Sequence, residues 1–546
     1  MTATLSRAGA EPEAPAHELA GTGHLTRLAL RRDRVILPIW IVLLSVVPAS
    51  TVKTFTQFYP TVADRLSLQA GANANPSYAL LYGPPFDLTT AGGFIAWRMC
   101  GFLALLTGLM VVFTVTRHTR AEEDTGRAEL LASAVVGRYA ALTAALLVAG
   151  GASVLTGLIQ AGTMIGAGLP AAGSLAFGAS EALVGLVFTA VAAVAVQLAE
   201  YSRTANGIGT AVVGAAFLLR GAGDSTVDAR WLSWLSPIGW VQQVRAFAGE
   251  RWWVLLLPVV FALVVGGIGY WLLPRRDVGV GFLPPRPGPA RGAASLRSPF
   301  ALAWRLHRGP LLGWTIGTAV VGAVFGSIAS GIGGLVGSSP QAQQIMARLG
   351  GSQALTQAFL AAMAGMFAMV ASLYGVQAVL RMRGEETAIR LEPVLATSVG
   401  RLRWAGSHLV FAFFGTAALL LSGGVFMGLA NGLRTGDVGG SLADTLAGML
   451  VQLPAAWVVV ALAVAIFGLL PGFSAAAWAV GALALLLSLF GPVLDLPQAV
   501  LDVSPFQHPP KIPGQAFTAT PLAWLLGVAV VASVAGLAGW KRRDVG

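Results

Sequence analysis

Little in this sequence can do covalent chemistry. A single cysteine, Cys100, excludes an intrachain disulfide and any multi-thiolate metal site. Charged residues make up only 11% of the chain, and lysine is nearly missing: Lys53, Lys511 and Lys541 follow Val52, Pro510 and Trp540. No Gly-Lys-Ser/Thr loop therefore exists to cradle a nucleotide phosphate. The six histidines are scattered, and neither His-Glu-x-x-His nor Gly-x-Ser-x-Gly occurs. The expectation is a chain that is not an enzyme, with no catalytic residue, no bound metal and no cofactor of its own.

What is abundant is apolar length. The chain is 55% hydrophobic, with a mean hydropathy of +0.73, and runs of about 20 apolar residues recur throughout, the length needed to cross a bilayer. They predict an all-α polytopic membrane protein of twelve spans, near 35–52, 94–116, 139–165, 177–199, 204–220, 253–273, 311–333, 358–380, 404–430, 445–468, 472–491 and 521–540. The net charge of +11 lies in short clusters between spans, which suits topology rather than nucleic acid. An inside N-terminus puts about 25 of the 35 Lys and Arg residues on the inner side. Arg98, Arg220 and eight others then fall outside, with Glu181 and Arg98 near outer ends where they can snorkel. Both termini are expected in the cytoplasm, at a bacterial plasma membrane.

Three short patterns occur twice in the same order. "RRDVG" stands at Arg275–Gly279 and Arg542–Gly546, and "SP" at Ser236-Pro237 and Ser504-Pro505. "EEDTGRAELLASAVVGR" (122–138) aligns without gaps on "EETAIRLEPVLATSVGR" (385–401), with seven identities in 17 positions. Six spans per half give the halves the same orientation, a parallel tandem duplication. The expected organisation is a disordered tail at 1–23, a first half at 24–279, a linker at 280–298 whose Pro/Arg/Gly-rich part resists helix, and a second half at 299–546.

The stretch 120–138 holds seven charges. At about 2.5–3.5 kcal/mol each within a bilayer they must lie in water. Glu123/Arg127 and Glu386/Arg390 are spaced i,i+4 for helical ion pairs. Four acids against three bases are poorly explained as a positive-inside signal, so a docking role fits better. Glu122-Glu123-x-x-Gly126-x-x-Glu129-Leu130-Leu131 resembles the cytoplasmic helix after the second span of ABC-2 type exporter permeases. The fused halves, RRDVG ends and SP pairs are similar to the actinobacterial tetronasin-type, polyketide-antibiotic ABC exporters.

That resemblance implies a partner ATPase subunit, two copies per chain, which would hold ATP and Mg. It makes 120–138 and 383–401 coupling helices, with Glu122, Glu123, Arg127 and Glu129 in one and Glu385, Glu386, Arg390 and Glu392 in the other. It also implies interfacial elbow helices at 24–34 and 299–309. Departures exist, since Ile389 and Pro393 replace Gly126 and Leu130. The family's pathway geometry raises two stripes, Phe94, Trp97 and Arg98, and Phe359, Met363, Met366 and Phe367, to candidate substrate contacts. A hydrophobic antibiotic or drug is the implied cargo. The alternatives are an ion-coupled twelve-helix drug carrier and a permease for lipid or cell-envelope export.

Overall fold

The computed structural model describes residues 18–74, 76–132, 136–225, 228–277, 279–283, 290–331, 352–490 and 497–544. The expected tail lies outside the described residues up to position 17, as do 284–289 of the expected linker, 133–135 of the charged stretch and the end of the seventh span. The chain forms two compact units, Met1–Pro287 and Gly288–Gly546.

In the first unit, α1 (Thr22–Arg32) precedes α2 (Ile36–Phe58). Two shorter helices, α3 (Val62–Ala74) and α4 (Pro76–Tyr82), lead to α5 (Ala91–Arg117). The charged stretch forms α6 (Arg120–Asp124) and α7 (Arg127–Ala132). Then come α8 (Ala140–Gly166), α9 (Ala171–Leu198), α10 (Ser202–Ser225), the short α11 (Trp231–Trp234) and α12 (Pro237–Gln243), and α13 (Leu256–Leu272).

The second unit comprises α14 (Pro299–Ala329), α15 (Ser352–Thr387), α16 (Glu392–Leu395), α17 (Arg401–Thr435), α18 (Val438–Leu469), α19 (Ala476–Phe490), α20 (Gln498–Leu501) and α21 (Thr520–Arg542). Eleven helices among the described residues are long and apolar enough to cross a membrane. The expected eleventh span is α19, only 15 residues long. This is a polytopic helical membrane protein. Val260, Leu263 and Val264 of α13 are mostly exposed, as side chains facing lipid must be.

Without a hydrophobic drive between helices in lipid, small residues hold them together. Gly157 of α8 and Gly178 of α9 face each other so closely that a Cβ on either would strike the other's carbonyl oxygen. Gly468 of α18 and Gly536 of α21 make a similar backbone approach.

Three sequence expectations are corrected in these units. Residues 299–309 are not a separate elbow: α14 runs on through Pro310. In the first unit the chain instead turns after Arg32, where Asp33 is drawn to Arg117 and His118. Glu181 does not snorkel; it is 1% exposed within α9. Arg220 is fully buried in α10, with Asp224 at 3.8 Å, so it is no topological surface charge.

Candidate coupling site

The stretch 120–138 is not one helix. It breaks at Gly126, whose φ of +70° is left-handed, a conformation that costs glycine little. At the aligned position of the second unit Ile389 has φ +56°. Glu385 and Glu386 end α15, and Glu392 opens α16 after the break. Gly126 N donates to Glu123 O and Ile389 N to Glu386 O, both at 3.0 Å. A β-branched residue in this region is strained by about 1–2 kcal/mol. Ile389→Gly should therefore raise stability by about 1 kcal/mol, measured as a higher denaturation midpoint of the purified chain; an unchanged or lower midpoint would refute the strain.

The break decides the pairing. The i,i+4 pairs expected of Glu123/Arg127 and Glu386/Arg390 do not form. The chain turns between their members, and each arginine instead reaches the preceding acid: Arg127 to Glu122 at 4.0 Å and Arg390 to Glu385 at 3.2 Å.

Glu123 faces inward. Arg276, from the first RRDVG segment, grips it with both ends of its guanidinium, Nη2 to Oε1 at 2.7 Å and Nη1 to Oε2 at 3.0 Å. Arg120 Nη1 lies at 2.8 Å and Gly279 N at 3.1 Å from the same carboxylate. Arg120 is fully buried and also donates to Val196 O and Val280 O, beside the end of α9. In the second unit Glu386 meets Arg543 of the second RRDVG and Arg383, each at 2.9 Å. Arg543 stacks over Trp540 as well, 4.6 Å from the ring centre.

Further contacts recur at matching places. Arg138 donates to Pro274 O, and Arg401 to Lys541 O and Arg543 O. Ser236 and Ser504, both fully buried, donate to Ala216 O at 2.7 Å and Ala484 O at 3.1 Å. The "SP" serines therefore pin the preceding span. No periodicity signals these pairings, but the repeated motifs contained both partners of Glu123–Arg276 and of Glu386–Arg543.

In the first unit, the α1–α2 junction is tied to this site. Asp33, 2% exposed, takes Arg117 Nη1 at 2.6 Å and His118 Nε2 at 2.8 Å, and Arg32 reaches Glu122 at 2.6 Å. Burial would raise the Asp33 carboxyl, but the hydrogen bonds and charges of His118 and Arg117 outweigh it and hold Asp33 below the ordinary carboxylate value. A depressed folded value stabilises the fold above the unfolded carboxylate pKa of about 3.9, and that stability is lost as pH falls through the folded value. Acid titration of thermal stability should show this loss, and Asp33→Asn should remove it; identical acid limbs in both proteins would disprove the tie. The second unit has His307 Nε2 against His408 Nδ1 at 2.9 Å between α14 and α17.

What remains outward is the far side of the break. Arg127 and Arg390 have side chains 53% and 61% exposed, and Glu129, Leu130 and Glu392 are exposed. The eight expected coupling residues thus divide into an inward acid pair and an outward Arg/Glu pair in each unit.

The candidate substrate stripes divide too. Phe94 and Trp97 are buried among aromatic rings, with Trp97 Nε1 donating to Gly83 O at 2.8 Å and the Phe94 ring tilted against Phe55 at 5.0 Å between centroids. Arg98 is exposed, its guanidinium 5.7 Å from the Phe94 ring. Phe367 is buried against Gly423, Phe359 meets Phe325 edge-on, and Phe359, Met363 and Met366 are partly exposed.

Two comparisons bear on the chain, one of them on its second half alone. Residues 296–541 match the family model described as "Multidrug efflux system permease Rv1217c, C-terminal domain". The multidrug efflux system permease protein Rv1217c of Mycobacterium tuberculosis (strain ATCC 25618 / H37Rv) is 45% identical over 527 residues, covering 96% of this chain and 95% of the relative.

Proposed function

From the premise that the chain belongs to the family of multidrug efflux permeases represented by Rv1217c, we propose that it is the transmembrane subunit of an ATP-driven exporter of hydrophobic drugs. A separate ABC ATPase, two copies per chain, binds ATP and Mg and supplies the energy. The charged ends of both units, with both termini, face the cytoplasm at a bacterial plasma membrane.

One observation carries this reading. Each unit builds the same device from the same repeated motifs: an acid clamped by the second arginine of RRDVG, a left-handed break, and an outward Arg/Glu pair. A tandem duplication accounts for it, in the manner of ABC-2 and tetronasin-type permeases. Two equivalent external surfaces suit a partner with two equivalent subunits. Movement of that partner would pass through Glu123–Arg276 to α9 and α13, and through Arg32 and Asp33 to α1 and α2. Substrate contacts fall to the accessible Arg98, Phe359, Met363 and Met366.

The rival reading, an ion-coupled carrier, has one feature in its favour. Glu181 sits buried in a span beside the weak donor of the Cys100 thiol, with no charged partner among the described residues, and membrane-embedded acids often serve ion movement. Reconstitution separates the two. ATP-dependent drug uptake into inverted vesicles should require the co-purified ATPase and survive Glu181→Gln within about twofold. Transport by the isolated chain on a proton gradient, lost in Glu181→Gln, would overturn the ATP-driven reading.

A further inference from the structure

We infer that the cavity at the charged end of the first unit is a binding site for an amphipathic cation, a protonated amine on an apolar skeleton. The cavity holds about 400 Å³, within the range of drug-sized pockets, about 300–1,000 Å³. Leu25 and Leu28 of α1, Leu142 and Ala145 of α8, and Leu273 supply apolar walls.

The polar groups decide the sign of charge it accepts. Three arginines line it, but each is engaged: Arg32 with Glu122 Oε1 at 2.6 Å, Arg276 with Glu123 at 2.7 Å, and Arg138 with Pro274 O at 2.6 Å. His118 is held by Asp33. Glu122 differs, because its Oε2 is buried and has no hydrogen-bond partner. A desolvated carboxylate oxygen with unused capacity is costly unless a donor reaches it. A ligand ammonium would be such a donor once rotation of the Glu122 carboxylate turns that oxygen to the cavity, with a charge-assisted bond, while its skeleton displaces water from the leucine walls. Exposed Asp277 adds negative charge at the lining.

The inference rests on the drug-export reading for its biological meaning and names the substrate class. An occupant would touch α1 and Glu122 together, the joint through which the proposed coupling passes.

Quinacrine, a fluorescent amphipathic amine, titrated against the full chain in lipid nanodiscs tests it by fluorescence polarisation. Saturable binding is expected, weakened about tenfold or more by Glu122→Gln and abolished by Ala141→Trp, which fills the cavity from an exposed position on its wall. The anion 8-anilinonaphthalene-1-sulfonate should bind wild type and Ala141→Trp alike. Quinacrine affinity unchanged in Ala141→Trp would overturn the site. So would Glu122→Gln binding as well as wild type, or an anion signal that Ala141→Trp abolishes. If Glu122→Gln fails to fold, Ala141→Trp decides alone. These assays need no ATPase, so their failure leaves the ATP-driven reading standing, and absence of a co-purifying ATPase leaves the site standing.

Discussion

Glu123→Ala should destabilise the first unit severely, by about 3–5 kcal/mol, the usual cost of leaving buried charges without their partner. Two guanidiniums lose their carboxylate at once: Arg120, wholly buried, and Arg276, 6% exposed. Arg120 cannot rotate to water, held as it is by Val196 O at the end of α9 and by Val280 O. The Gly279 N–H loses its acceptor too. Glu386→Ala should cost clearly less. Its partners Arg383 and Arg543 are 28% and 15% exposed, and Arg543 keeps its stacking over Trp540. Chemical denaturation of the purified chain checks both size and order. Equal midpoints for Glu123→Ala and wild type would remove the clamp from the account.

The architecture was legible because lipid imposes length. Twelve apolar runs matched α2, α5, α8, α9, α10, α13 and their six counterparts closely, with α19 short. Helix breaks were harder to foresee. Gly126 signals a turn, but Ile389 is among the least suited residues for positive φ, and only its alignment with Gly126 hinted at the conformation. The pairings were misassigned for that reason: i,i+4 spacing assumes an unbroken helix, and the break hands Arg127 and Arg390 to the earlier acid. Burial of Glu181 and Arg220 could not be read from their distance to a span's end, because burial depends on which helices pack beside them. The elbow differed between units for a similar reason. Buried Asp33, paired with Arg117 and His118, holds the turn after Arg32 in the first unit, whereas α14 of the second runs on unbroken.

The inward and outward acids make the coupling proposal sharper than the charged stretch alone allows. Reversing Glu122 with Glu129 would mix two effects, since Glu122 anchors Arg32 and α1. Glu129 and Glu392 carry the docking question cleanly: both are exposed, just beyond the break, at aligned positions. Reversing an exposed charge ordinarily changes stability by no more than about 0.5 kcal/mol, while like charges across an interface cost a partner several kcal/mol. The double variant Glu129→Arg/Glu392→Arg should therefore melt like wild type, insert normally, and lose ATP-dependent drug transport by about a hundredfold or more. Each single reversal should lose less, because one docking surface remains. ATPase co-purification, melting and vesicle uptake measured on the same preparations separate the outcomes. A double reversal that keeps both its ATPase and its transport would mean that the outward pair is a solvated surface, and that any partner grips the chain elsewhere.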